Sequence, residues 1–395
     1  MAADRKPVLI AGGGIGGLAT AMGLAQKGIR SILLEKASAL GEIGAGIQLG
    51  PNAFHAFDYL GVGEAARGMA VYIDQLRLMD ALTADEITHV DLGEAFRARF
   101  RNPYAVVHRG DLHGVFLRAC ERSDLIELRV SSEVAGYEQD GSSVTARIAN
   151  GDRVTGSLLI GADGLWSNIR KQVTSDGPPR VSGHTTYRSV IPTEQMPEDL
   201  RWNAATLWAG PKCHIVHYPL SGWKVFNLVV TYHNDAPEPV AGKPVSEAEV
   251  MKGFGHVHER AQSIIRHGKD WKLWVLCDRD PNERWVDGRV ALLGDAAHPM
   301  LQYFAQGACQ AMEDAVCLSH MLAEREDHRT ALEAYRAQRF PRTARVQLMS
   351  RAIGEHIYHP ADEHARLRNA IMGAKSQDEW YGDVAWLYGG TGLAS

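Results

Sequence analysis

At 395 residues the chain exceeds what one hydrophobic core usually supports, so two or three domain-sized units are expected. With 45% hydrophobic and 23% charged residues it reads as an ordinary globular protein, and a net charge of −5 argues against nucleic acid as a partner while leaving room for a local basic funnel. The five cysteines (Cys120, Cys213, Cys277, Cys309 and Cys317) are odd in number and contain no CxxC pair, which argues against a disulfide framework or a metal site.

Arg5 and Lys6 precede an apolar stretch from Val8, but glycines at 12, 13, 14, 16 and 17 interrupt it. That is not a secretory signal, and no apolar run has the length of a membrane span, so a cytoplasmic protein with no membrane partner is expected. Val8 to Ala11 predicts a short buried strand, followed by a glycine turn and a helix to about Lys27 that Gly28 ends. Ser31 to Leu34 predicts a second parallel strand with Glu35 at its end. Val134–Gln139, Val144–Ile148 and Val154–Ile160 predict three strands of a meander, separated by the hairpin dipeptides Asp140-Gly141 and Asn150-Gly151. From Thr185 to Trp274 the sequence alternates with period two and is rich in aromatics, which predicts a mostly antiparallel sheet. After Val290 the strand, glycine turn and helix pattern returns, and the last hundred residues are largely helical. The fold class is therefore α/β, with a β-rich unit inserted into a nucleotide-binding unit assembled from separated segments.

Three motifs carry chemistry. Gly12-x-Gly14-x-x-Gly17 lies between a strand and a helix, with Glu35 eighteen residues after Gly17. Gly12 makes the tight turn, Gly14 admits a pyrophosphate, Gly17 lets the helix pack, and Glu35 can accept from a ribose hydroxyl. The second, Gly161-Ala162-Asp163-Gly164, offers either a cofactor contact at Asp163 or an ordinary helix-capping turn. The third, Gly294-Asp295-Ala296-Ala297-His298-Pro299, follows an apolar strand, and Asp295 at its end can accept from a ribityl hydroxyl. Gln306-Gly307-Ala308 then opens a helix whose amides can face an anionic ring. His298 reads as a base or, equally, as a packing residue.

In this order the motifs resemble the signatures of the single-component flavoprotein aromatic hydroxylases, the para-hydroxybenzoate hydroxylase fold, over essentially the whole chain. His108-Arg109-x-Asp111 resembles the family's flavin-contacting arginine segment, and Gly44 to Asn52 its loop beside the isoalloxazine. The resemblance implies FAD held by Gly12, Gly14, Ile15, Gly17, Glu35, Lys36, Ile47, Gln48, Arg109, Asp163, Asp295, Gly307 and Ala308, no metal, and a reduced nicotinamide that visits without a domain of its own. It implies an FAD-binding Rossmann-like domain (1–72, 103–178, 277–350), an inserted antiparallel substrate domain (73–102, 179–276) and a C-terminal helical segment (351–395). A homodimer is expected on base rates.

The implied chemistry is transfer of one oxygen atom of O2, through a flavin C4a-hydroperoxide, to an aromatic ring activated as its phenolate. Cys213-His214-Ile215-Val216-His217-Tyr218 alternates, so His214 and Tyr218 share one strand face and His217 takes the other; periodicity leaves open which face meets the flavin. His214 and Tyr218, with Gln302 after the third motif, resemble the branch that hydroxylates 3-hydroxybenzoate para to its hydroxyl with NADH, giving 2,5-dihydroxybenzoate. There the His and Gln positions bind and deprotonate the phenol. Salicylate hydroxylases commonly carry proline where this chain has Gln302. The alternative is a decarboxylating salicylate or hydroxynicotinate hydroxylase on the same scaffold. A plain NAD-dependent dehydrogenase fits the second and third motifs poorly, and a flavin-bound sensor would show no substrate-stimulated NADH oxidation.

Overall fold

A computed structural model describes residues 6–41 and 46–393. Gly44 and Ala45 of the loop singled out in the sequence lie outside the described residues.

The first strand, helix and second strand form at Val8–Ala11, Ile15–Gln26 and Ser31–Leu34. The two strands are buried at every position, as the interior of a parallel sheet requires. They belong to a six-stranded sheet whose order is Val286–Asp287, Val290–Leu292, Leu158–Gly161, Val8–Ala11, Ser31–Leu34, Ile126–Arg129. All neighbours run parallel except the two-residue edge strand. Helix Ile15–Gln26 presents Gly23 to Ser319 and Ala315 of helix Gly307–Glu324, a contact so close that a Cβ at Gly23 would lie 2.8 Å from Ser319 Oγ.

The meander predicted after residue 134 is present, with one difference. Its third strand is two strands: Arg153–Gly156 closes the antiparallel trio, and Leu158–Gly161 joins the parallel sheet beside Val8–Ala11. Ser157 is the joint, and its N–H donates to Pro7 O at 2.9 Å. A continuous apolar run concealed a change of sheet.

The inserted unit is an eight-stranded sheet ordered Ala241–Pro244, Lys272–Asp278, Arg180–Pro192, Val225–His233, Cys213–Leu220, Ala204–Gly210, Gln75–Asp80, Glu86–Asp91. One pair, Ala204–Gly210 with Gln75–Asp80, is parallel and the rest are antiparallel. Its outer face buries Trp208, Ile215, Phe226 and Leu228 with Ile264 and Ile265 of helix Glu259–His267. Each such side chain contributes about 1.5–3 kcal/mol. The inner face looks toward the parallel-sheet unit. A small sheet, Gly46–Leu49, Ala105–His108 and Val71–Tyr72, bridges the two units. Helices His328–Ile353, Asp362–Gly373 and Gln377–Tyr388 make up the C-terminal region. No helix among the described residues is long and apolar enough to cross a membrane. All five cysteines are unpaired, and four are buried.

Candidate active site

The glycine turn is shaped by its own crowding. Gly12 takes φ +106°, and a Cβ on Gly17 would lie 2.0 Å from Gly12 O, so neither position admits a side chain. Gly14 caps helix Ile15–Gln26 with no side-chain bond, and the first turn carries no acidic residue, which leaves the helix N-terminus open to an anion. Glu35 accepts from Gly13 N–H at 2.6 Å and Ala37 N–H at 2.8 Å, which fixes its carboxylate beside the turn.

A cavity of about 530 Å³ lies between this turn and the inner face of the large sheet. Gly14, Ile15, Ile47, Gln48, Arg109, Asp295, Gly307 and Ala308 line it from the parallel-sheet side, and His214, Tyr218 and Gln302 from the other. Gly12, Gly17, Glu35, Lys36 and Asp163 are not in its wall. Lys36 is exposed outside it. Asp163 accepts from the Ser167 hydroxyl and from the N–H groups of Asn168 (2.8 Å) and Ile169 (3.2 Å). The structure thus commits that carboxylate to the start of helix Asn168–Val173, the capping alternative, and burial raises its pKa. Asp295 is exposed to the cavity and has no protein partner among the described residues. The Gly307–Glu324 helix also begins without a side-chain cap or an acidic first turn.

These features fit FAD. Two open helix N-termini, a glycine turn that no side chain could occupy and a free carboxylate at Asp295 supply the donors and acceptors that its pyrophosphate, ring and ribityl chain require.

His298 is not in the cavity. Its Nε2 lies 2.5 Å from Asp314 Oδ2, both groups being buried. Burial alone would raise the Asp314 pKa, but His298 and Arg339 outweigh it and hold the carboxyl below its usual range. Asp314 also accepts from Gly294 N–H at 3.0 Å, so the pair braces the turn that carries Asp295.

Strand register answers the question of faces. His214, Val216 and Tyr218 stand opposite Thr231, Val229 and Asn227, which in turn stand beside Thr186, Arg188 and Val190. His214 and Tyr218 therefore face the cavity. His217 faces the outer core and accepts from Trp208 Nε1 at 3.1 Å, and burial drives its pKa down to about 3. His214 is 1% exposed, and its Nδ1 lies 2.7 Å from Nε2 of His359. Burial, then the neighbouring His359 and His184, depress its pKa well below the usual histidine value, so it is neutral at pH 7. With Nδ1 engaged, Nε2 is the nitrogen left for a ligand. Burial raises the Tyr218 pKa, and Arg188 opposes that.

Gln302 reaches the cavity, but its amide is already engaged. Its Nε2 donates to Thr186 Oγ1 (3.0 Å) and Thr231 Oγ1 (3.2 Å), and its Oε1 accepts from Arg188 Nη2 at 2.9 Å. Arg188 is the site residue that sequence reasoning missed. It lines the cavity, has no carboxylate partner among the described residues and lies 5.7 Å from the Trp274 ring. Burial lowers its pKa, yet a guanidinium remains cationic. The available signal was one charged residue inside an otherwise apolar and hydroxylic run, Thr185 to Ile191. His359, also missed, had no local signal.

A glycine-turn dinucleotide site joined to an antiparallel sheet, over a cavity with a neutral histidine and a buried cation, defines a flavoprotein that acts on a small aromatic molecule. The chain belongs to the FAD-binding domain family, whose model matches residues 5–350, and it is an FAD-dependent aromatic hydroxylase. It is 56% identical to 3-hydroxybenzoate 6-hydroxylase 1 of Aquipseudomonas alcaligenes over 97% of both chains. It is 46% identical to 3-hydroxybenzoate 6-hydroxylase of Klebsiella oxytoca over 96% of both. Among solved structures it is similar to a single-residue variant of Klebsiella pneumoniae HpxO complexed with FAD, at 25% identity and a TM-score of 0.86, covering 97% of this chain and 98% of that one.

Proposed function

We propose that the enzyme hydroxylates 3-hydroxybenzoate para to its hydroxyl, giving 2,5-dihydroxybenzoate, with NADH as electron donor and O2 as oxidant. One oxygen atom enters the ring and the other leaves as water. FAD held by the glycine turn, Asp295 and the Gly307 and Ala308 amides would supply the redox chemistry of hydride acceptance and O2 activation.

The protein's own part is to ionise and orient the ring. A phenol is a weak nucleophile and its phenolate a strong one, because the oxygen charge reaches the ortho and para carbons. His214 carries this reading: it is buried, neutral and fixed at Nδ1, with Nε2 available to take the phenol proton. Arg188 supplies a counter-ion for the substrate carboxylate. Gln302 holds the guanidinium and so acts as a positioning residue, with Thr186 and Thr231 fixing the amide. Tyr218, kept un-ionised by burial, offers a further hydrogen bond along the same wall. Asp295 and the amides at Gly307 and Ala308 are the groups to hold the flavin side.

The sign of the pH dependence follows. A depressed pKa keeps His214 unprotonated throughout the neutral range, so its Nε2 is open to the phenol proton. Because burial also makes it a weak base, the transfer depends on the Arg188 cation and the donors of the cavity wall stabilising the phenolate that forms. In His214→Ala the phenol must ionise unaided, near its free pKa of about 10. Hydroxylation at pH 7.5 should fall about 10²–10⁴-fold, the usual contribution of a general base, and recover as pH rises toward 10. A rate profile in pH unchanged from the native one would remove His214 from this role.

A further inference from the structure

His214 does not stand alone behind the cavity. Its hydrogen-bond partner His359 is outside the cavity wall and partly exposed. The His184 ring lies edge-on to His359 at 5.1 Å between centroids, and His233 lies 4.3 Å from His184. His233 Nε2 is 3.2 Å from Asp235, whose side chain is 80% exposed. Four imidazoles therefore form a row from the cavity wall to a surface carboxylate. The other titratable or charged groups packed on the row are Tyr303 and Tyr358 around His214, and Arg180, Asp278 and Asp235 around His184. Tyr303 shares a short hydrogen bond with His184 Nδ1.

The backbone at His359 is built to hold this contact. Helix His328–Ile353 runs into a π-turn, Gly354–Tyr358, and His359 caps it. Such turns are rare and concentrate at functional sites. His359 N–H donates to Gly354 O at 3.1 Å, and its carbonyl accepts from Lys212 N–H at 3.3 Å, beside the strand that carries His214. Tyr358 O–H donates to Tyr303 O at 3.0 Å, which ties the turn to the loop that carries Gln302.

A buried base that takes a proton from each substrate must also discharge it. We propose that His359, partly exposed, is a positioning and relay residue that fixes the His214 tautomer and passes the phenol proton outward to water, His184 packing edge-on to hold its ring. The phenol O–H breaks and His214 Nε2–H forms; Nδ1–H of His214 passes to Nε2 of His359, and His359 yields its own Nδ1–H to water at its exposed edge. One proton moves and no electron does. The proposal rests on His214 being the base.

The test uses the FAD-loaded enzyme without NADH. It is mixed rapidly with 3-hydroxybenzoate in weak buffer containing a pH indicator, and the ultraviolet absorbance of bound phenolate is followed in parallel. His359→Asn should keep most of the phenolate signal but release its proton at least about tenfold more slowly, and added imidazole should restore the rate, as expected for a lost proton-transfer group. Release at the native rate would overturn the relay. Slow release that imidazole does not restore would also overturn it, reducing His359 to a packing residue. If His359→Asn does not hold FAD, His359→Gln is read the same way: slowed release that imidazole restores supports the relay, and a native rate contradicts it. His214→Asn separates the two readings, because it should abolish the phenolate signal itself. Retention of that signal would remove the base, and the relay with it.

Discussion

Arg188 shows how much one side chain decides in a mostly apolar cavity. A guanidinium without a carboxylate partner among the described residues, braced by an amide, is matched to an anionic ligand. Removing one partner of a buried charge pair costs about 2–5 kcal/mol, or roughly 30-fold to several thousand-fold. Arg188→Met should therefore raise KM for 3-hydroxybenzoate by that range, while 3-hydroxybenzamide, which has no charge to lose, shifts less than about threefold. Steady-state kinetics on the two substrates check this, and an equal effect on both would remove Arg188 from carboxylate binding. At this scale the sequence was informative about residue type and less so about partners. His214 and Tyr218 sharing a face follows from period two, but which face met the cavity depended on strand order, which no local pattern contains. Asp163 and Asp295 look alike as aspartates beside glycine. One is taken up by a helix start and the other is open to the cavity, because only the first is followed by donors placed to reach it.

Elements that bring distant segments together were the least legible. The glycine-turn unit forms at the predicted boundaries because its signals are local: an apolar run, a turn that needs glycine, a helix rich in small residues. The split of the third meander strand at Ser157 was hidden, because two strands in different sheets read as one apolar stretch. The π-turn was hidden as well, since it is set by packing. A Cβ at Gly354 would meet the Tyr303 ring at 2.5 Å, so glycine is required there by a residue 51 positions earlier. Gly354→Ala should push Tyr303 or the turn aside, lowering stability by about 1–3 kcal/mol, as overpacking does. It should also loosen the His359 contact with His214. Chemical denaturation and the pH profile of hydroxylation should move together, and a variant with native values for both would show that the turn tolerates displacement.

For the whole molecule, the cavity exists only because two units meet: Gly14, Asp295 and Gly307 come from one side, His214, Arg188 and Tyr218 from the other. The motifs announce the cofactor side because phosphate and ribose binding demand fixed residue types at fixed spacing. The substrate side carries no such grammar, and its identity rests on how a neutral histidine and a buried cation are spaced across a sheet. The most direct measurement is oxygen consumption by the FAD-loaded enzyme with NADH, with 3-hydroxybenzoate compared to salicylate, and chromatographic identification of the product. The account predicts substrate-stimulated oxygen uptake with 3-hydroxybenzoate, 2,5-dihydroxybenzoate as the product and no carbon dioxide. Release of carbon dioxide with a catechol from salicylate, and no 2,5-dihydroxybenzoate from 3-hydroxybenzoate, would contradict it.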